Sequence, residues 1–135
     1  MTTKYKIKKT TGFIFDYLTN MSKFIAAHPV IYKMEYLGEN KYKVFEALKL
    51  GFIPYSFTYS ATIEIFYESK QVVMTAVFMK VNTIEMVFDI KEVEDFAIIK
   101  EVITFKTKLP IKSILGQVFK KQHAQLFKNI ENSIV

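Results

Sequence analysis

Residues 53–67 read IPYSFTYSATIEIFY, and in this stretch apolar and polar side chains alternate over many positions. The odd positions carry mostly large apolar groups, and the even positions from 56 to 64 carry Ser, Thr, Ser, Thr and Glu. Successive side chains of a strand point to opposite faces of its sheet. The pattern therefore predicts a long strand with one apolar and one polar face, as in an antiparallel sheet that is covered on one side only.

The same period of two extends in both directions, from residue 31 to residue 107. Five more strands are predicted there, in the segments IYKMEYLG (31–38), NKYKVFEALKL (40–50), QVVMTAVFM (71–79), TIEMVFDI (83–90) and FAIIKEVITFKT (96–107). Short polar turns separate the segments, which favours a meander of sequential antiparallel neighbours. Residues 4–10 add a first strand, so the sheet is expected to have seven.

Helical periodicity appears before and after this region. The segment GFIFDYLTNMSKFIAAHP (12–29) is interrupted at Asn20 and Ser22, which predicts two short helices, with Thr10 or Thr11 capping the first and Pro29 ending the second. Residues 110–134 predict one long helix with Pro110 in its first turn. Its apolar stripe comprises Leu115, Phe119, Leu126 and Ile130, extended by Ile111, Ile114, Val118, Phe127 and Ile134.

This order of elements resembles a known superfamily. The matching stretches are FIFDYLTNMSKFIAAHPVI (13–31), YLGENKYKVFEAL (36–48) and LFKNIENSI (126–134). They resemble the START-like or SRPBCC superfamily, also called helix-grip, which includes aromatase/cyclase-type polyketide enzymes, pollen-allergen ligand binders and lipid-transfer domains. The resemblance implies an α+β fold, with one domain over residues 1–135. In it, a curved antiparallel sheet of seven strands wraps the long C-terminal helix and leaves a cavity between them.

Composition narrows the classes of function. All 19 basic residues are Lys, the net charge is +6, and Cys is absent, so disulfides and thiolate sites are excluded. This composition fits a cytoplasmic protein. The lysines are spread along the chain, which argues against nucleic-acid binding. The densest run, KYKIKK (4–9), places Lys4, Lys6 and Lys8 on one strand face and leaves open a weak contact with an anionic membrane surface.

No recognisable catalytic or cofactor-binding motif occurs in the sequence. There is no phosphate-binding glycine loop, no HExxH and no GxSxG, and no apolar run approaches the roughly 18 residues of a transmembrane span. We therefore expect no metal, no cofactor and no transmembrane segment.

The apolar sheet face and the helix stripe also contain polar side chains. Strand parity places Glu46 and Glu101 on the inward face, and helical spacing places His123 and Gln122 within the stripe. Either a bulge or strand end exposes the two carboxylates to water, or they act as polar anchors in an apolar pocket. His123 is either a satisfied core histidine or a cavity residue.

By the same parity, several tyrosines lie on the inward face. A buried hydroxyl needs a hydrogen-bond partner, so these tyrosines favour a partly hydrated cavity, unless their hydroxyls reach the rim of the sheet. Parity also places Tyr32, Met34 and Tyr36 inward. His28 is either an ordinary helix-end residue or, as the resemblance implies, a residue at the cavity mouth. The candidate cavity residues are His123, Gln122, Glu101, Glu46, Tyr42, Tyr55, Tyr59, Phe57, Met74, Phe78, Met86, Phe88 and Phe119.

Three functions fit these observations. The first is binding of a hydrophobic or amphipathic small molecule (a lipid, an aromatic or a polyketide-like compound) between the sheet and the long helix. The second is a cyclase, dehydratase or hydrolase that uses the same cavity, with His123 or Glu101 as general acid or base. The third is a regulatory interaction module. We expect a ligand-binding protein without catalysis.

Overall fold

The computed structural model describes residues 1–50 and 52–134, with only the backbone at residue 50. Within them it contains three helices and seven strands. In chain order these are β1 (Thr2–Ile7), α1 (Thr11–Thr19), α2 (Met21–Ala27), β2 (Ile31–Gly38), β3 (Lys41–Leu50), β4 (Ile53–Phe66), β5 (Gln71–Phe78), β6 (Asn82–Val93), β7 (Phe96–Lys106) and α3 (Lys112–Glu131).

The strands form one curved antiparallel sheet in the order β1-β7-β6-β5-β4-β3-β2. From β2 to β7 each strand pairs with the next one in the chain, which confirms the predicted meander. β1 pairs with β7, so β1 and β2 are the two edges. Tight turns make this possible: Glu39, Asn40, Lys70 and Glu94 adopt positive φ angles between consecutive strands.

The helix pair has the predicted break at Asn20. This residue ends α1 and begins α2, where its side-chain oxygen accepts a hydrogen bond from the backbone N–H of Lys23. Thr10 caps α1 by accepting a hydrogen bond from the Phe13 backbone N–H. Asn129 of α3 donates a 2.8 Å hydrogen bond to the Ala27 carbonyl, which ties the end of α2 to the long helix.

The hydrophobic core lies between the inner face of the sheet and the three helices. Helix α3 contributes to it mainly through its second half, where Leu126, Phe127 and Ile130 are buried. Opposite them are buried residues from several strands, including Ile63, Val72, Phe88, Ile90 and Ile99. The first half of α3 buries only Gly116, so the helix packs firmly at its C-terminal end alone.

Some predicted boundaries and orientations were wrong. β1 ends at Ile7 because the chain turns there into the Thr10 cap, and α3 begins at Lys112, two residues after Pro110. Ile114 and Ile134 are largely exposed because they lie outside the packed second half of α3. Tyr32 also points away from the core. A bulge between Ile31 and Lys33 reverses the parity of β2 there and brings the ring to Phe45 on the outer face.

Candidate functional site

A small cavity lies between α3 and the inner face of the sheet, where the sheet also meets α2. Its volume is about 30 Å³, which is room for about two water molecules. Most of its wall is apolar. The cavity is lined by Phe24, His28, Ile31, Met34, Val44, Glu46, Tyr59, Ala61, Ile63, Met74, Ala76, Met86, Phe88, Phe119, Gln122 and His123.

His123 and Glu101 form a buried pair beside this cavity. The Nδ1 atom of His123 lies 2.5 Å from Oε2 of Glu101, and the two side chains are 5% and 0% exposed. The two atoms are close, but their geometry does not meet that of a hydrogen bond. The second carboxylate oxygen has a long 3.5 Å contact with the Tyr5 hydroxyl. Burial, and then the Glu101 charge, raise the pKa of Tyr5 above its usual value.

Aromatic rings fix the position of the His123 ring. Its centroid lies 5.6 Å from that of Phe119, 5.8 Å from that of Phe88 and 6.3 Å from that of His28. Phe119 is one helical turn before His123, and Phe88 is the cross-strand partner of Glu101. The long helix and the β6–β7 pair therefore both orient this histidine against its carboxylate.

Glu46 and Tyr59 form a second polar pair in the cavity wall. They lie on the paired strands β3 and β4, and the Tyr59 hydroxyl hydrogen-bonds to the Glu46 carboxylate. Burial raises the pKa of Glu46, although the bond from Tyr59 and the nearby charge of His123 oppose the shift. Burial and Glu46 together raise the pKa of Tyr59.

His28 ends α2 as its C-terminal cap and lines the cavity from the helix side. Its Nδ1 accepts hydrogen bonds from the backbone N–H groups of Val30 (3.2 Å) and Ile31 (3.0 Å). The proton of the neutral ring must therefore be on Nε2. Burial, and then the neighbouring His123, lower the pKa of His28 to about 3, so the ring is uncharged at neutral pH and can offer an N–H donor.

The structure brings most of the sequence-predicted candidates together. Those that line the cavity are His28, Glu46, Tyr59, Met74, Met86, Phe88, Phe119, Gln122 and His123. Glu101 lies behind His123 and reaches the cavity only through it. The two carboxylates are buried, at 6% and 1% exposure, so neither is placed in water by a bulge or strand end.

Other candidates lie outside the cavity. Tyr55 and Phe57 have the predicted inward parity, but they are about half exposed because β3 and β4 extend as a two-stranded ribbon beyond the register of β2 and β5. Phe78 lies at the end of β5 opposite Asn82. Tyr42 packs against the exposed Tyr36 near the β2–β3 turn, with the rings tilted and their centroids 5.2 Å apart.

Sequence reasoning left several small or aliphatic wall residues out of the candidate set. Val44, Ala61, Ile63 and Ala76 have the inward parity of their strands, and this alternation was the available signal. Phe24 and Ile31 had no such signal, because the contact of the helix pair with the sheet depends on tertiary structure. Among the described residues, no group of three or more His, Cys, Asp or Glu side chains could hold a metal ion.

Comparisons with solved structures identify the fold. No protein-family model matches the chain, and no curated protein matches it either. Among solved structures, Ara h 8.0201 is 17% identical with a TM-score of 0.77, and the match covers 97% of this chain and 93% of that one. The Zhui aromatase/cyclase from Streptomyces sp. R1128 is 8% identical with a TM-score of 0.71, over 96% and 89% of the two chains.

A third similar structure is the di-domain ARO/CYC BexL from the BE-7585A biosynthetic pathway. It is 8% identical with a TM-score of 0.81, and the match covers 97% of this chain and 46% of the larger protein. At such identities the similarity concerns the fold alone. The helix-grip fold expected from the sequence is confirmed.

Proposed function

We propose that the protein binds an amphipathic small molecule between the sheet and α3. The observation that carries the proposal is the cavity wall, where apolar side chains surround Glu46, Tyr59, His28, Gln122 and His123. Ligand sites combine such apolar walls with a few polar groups that orient the ligand. A purely structural core would gain more from apolar residues at these positions, because buried polar groups are costly to desolvate.

The size of the cavity suggests how a ligand would lie in it. A volume of about 30 Å³ accommodates only a polar head group or water. Both walls continue toward the end of the sheet where α3 begins. Tyr55 and Phe57 precede Tyr59 along β4, and Leu115 precedes Phe119 by one turn of α3. These residues are only partly covered, so we place the apolar body of the ligand along them and its polar head in the cavity.

The polar groups define the kind of head group. His28 offers an N–H, the Glu46 carboxyl group offers acceptor oxygens, and Gln122 offers both a donor and an acceptor. A neutral hydroxyl, carbonyl or phenol satisfies these groups without bringing a second charge beside the Glu101–His123 pair. Lipids, aromatic compounds and polyketide-like compounds that carry such a head group all fit this description.

The direct test measures uptake of a neutral apolar dye, Nile red, by delipidated protein, together with native mass spectrometry of the protein as purified. Ala61→Val narrows the cavity wall without removing a polar group, because Ala61 is buried there. We expect saturable dye uptake that Ala61→Val weakens several-fold. Ala124→Val, on the exposed face of α3, is the matched control and should bind as the unaltered chain does. Absence of both saturable uptake and a copurifying ligand would refute the proposal.

Acid–base catalysis in the same cavity is the second candidate function. It is favoured by Glu46, a carboxyl group with a raised pKa, and the Glu101-oriented His123 in one enclosed space. Pairs of titratable groups in different environments can divide the roles of acid and base. Turnover of a cyclisation or dehydration substrate that is lost in both Glu46→Gln and His123→Gln, with dye binding retained, would establish it. Turnover retained in both variants would exclude it for that substrate.

A further inference from the structure

Three chain connections lie at one end of the sheet. In an antiparallel meander successive turns alternate between the two ends, so the β3–β4 turn, the β5–β6 turn and the β7–α3 connection share an end. The described residues of segments 47–57, 77–83 and 106–114 form this surface, which we call the basic end. The opposite end carries the β2–β3, β4–β5 and β6–β7 turns.

Large apolar side chains are exposed at the basic end. Phe52 is 92% exposed and Val81 is 82% exposed, and each lies in a turn, on a tip of the sheet. The other exposed apolar residues of these segments are Ile53, Tyr55, Phe57, Val77, Met79, Leu109 and Ile114. The opposite end exposes apolar residues too, among them Tyr67 (68%) in the β4–β5 turn, but none of its described turns carries an apolar residue as exposed as Phe52 or Val81. The basic end is therefore the better candidate for a contact surface.

The charge at this end has a single sign. Its exposed lysines are Lys49, Lys80, Lys106, Lys108 and Lys112. The three segments contain no Asp or Glu, and none of these lysines forms an ion pair with another described residue. The opposite end has exposed carboxylates in its turns, at Glu39, Glu68, Glu94 and Asp95. The opposite end mixes these carboxylates with the exposed Lys8, Lys41 and Lys91, so of the two ends only the basic end has a charge of a single sign.

We propose that the basic end docks on anionic lipid bilayers. The apolar groups are on separate turns and not in one groove, which suits insertion into a deformable interface better than a fit against a rigid partner. Lysine is a mobile point charge that is attracted to anionic head groups without a fixed geometry, and the chain has no Arg to recognise planar anions. A nucleic acid would use the lysines and leave Phe52 and Val81 in water.

Docking in this orientation would bring the uncovered wall of the ligand site to the membrane. Tyr55 and Phe57 belong to both the basic end and the proposed path of the ligand, and α3 begins at the same end. Only this consequence rests on the proposed function. Bilayer docking stands separately, because it is measured without ligand.

The first experiment is cosedimentation of the full chain with vesicles of phosphatidylcholine alone and of equimolar phosphatidylcholine and phosphatidylglycerol. We expect binding to the anionic vesicles that weakens as salt is raised. Lys108→Gln/Lys112→Gln should reduce the affinity by about tenfold or more at low salt. The charge-matched control Lys41→Gln/Lys91→Gln changes exposed lysines elsewhere on the sheet and should change it by less than about twofold.

A second measurement reports the orientation directly. The chain has no Trp, so Phe52→Trp introduces a single tryptophan at the basic end and Tyr67→Trp introduces one at the opposite end. We expect the emission of Phe52→Trp to shift to shorter wavelength with anionic vesicles and that of Tyr67→Trp to stay constant.

Three results would overturn the proposal: equal shifts for both tryptophans, equal binding by both lysine pairs, or no preference for anionic vesicles. A dimer in solution that Phe52→Ser/Val81→Ser dissociates would also overturn it, by assigning this end to a second copy of the chain.

Discussion

His123 and Glu101 face each other across the core, with Nδ1 2.5 Å from Oε2 and both side chains almost fully buried. One comes from the middle of α3 and the other from β7, so their contact joins the long helix to the sheet at the edge of the cavity. A buried carboxylate without a polar partner is very costly, and His123 is the polar side chain that Oε2 of Glu101 meets there.

Removing one partner of this pair should destabilise the fold. His123→Phe leaves a buried carboxylate without its counterpart, and we expect the free energy of unfolding to fall by about 3 to 5 kcal/mol. Glu101→Leu/His123→Phe removes both partners and should recover most of that loss. Urea denaturation of His123→Phe, Glu101→Leu and the double variant measures the coupling. Strictly additive effects would mean that the two residues do not stabilise each other.

Glu46 should make the protein less stable as pH rises. Its folded-state pKa is raised by burial, so between the ordinary carboxyl pKa of about 4.3 and the raised value the folded chain holds a proton that the unfolded chain loses. Stability therefore declines with pH across this window. Glu46→Gln keeps a polar partner for Tyr59, and its unfolding free energy should be higher at neutral pH and less dependent on pH. Glu64→Gln, at an exposed position on β4, is the control that should leave the pH dependence unchanged.

His28 should make the protein less stable as pH falls below neutral. Its pKa is lowered to about 3 in the folded chain, whereas the unfolded chain takes up a proton near pH 6.5. The contribution of the neutral ring is therefore complete above pH 6.5 and is lost progressively as pH falls toward 3. His28→Asn retains an acceptor for the Val30 and Ile31 N–H groups and should reduce this loss of stability at low pH. If thermal melts of this variant show the same loss of stability at low pH as the unaltered chain, other groups cause that loss.

Asn20 links the two short helices, and its loss should cost about 1 kcal/mol of unfolding free energy. Its side chain accepts a hydrogen bond from the Lys23 N–H at the start of α2. Asn20→Asp can accept the same bond and should retain most of the stability that Asn20→Ala loses. Equal stability of the Ala and Asp variants would show that the cap contributes nothing measurable.

The elements of this fold could be predicted because they depend on local patterns. Alternation along residues 53–67 requires a strand with one covered face, and the helical spacing of Leu126 and Ile130 requires a helix to cover it. The caps at Thr10 and Asn20 are equally local, since each side chain bonds to a backbone N–H three residues later. Strand parity alone also predicts that Glu46 and Glu101 lie on the inner face.

The pairing of the buried polar side chains could not be predicted from the sequence, because it depends on distances in space between residues that are far apart in the chain. Whether Glu101 reaches His123, and whether Glu46 reaches Tyr59, follows from the crossing of α3 over the sheet and from the β3–β4 register. The bulge that turns Tyr32 outward and the overhang that exposes Tyr55 are likewise tertiary features. Local periodicity determines the face on which a side chain lies. Burial, cavity volume and charge partners depend on what packs against that face, because they arise from contacts between residues distant in the chain.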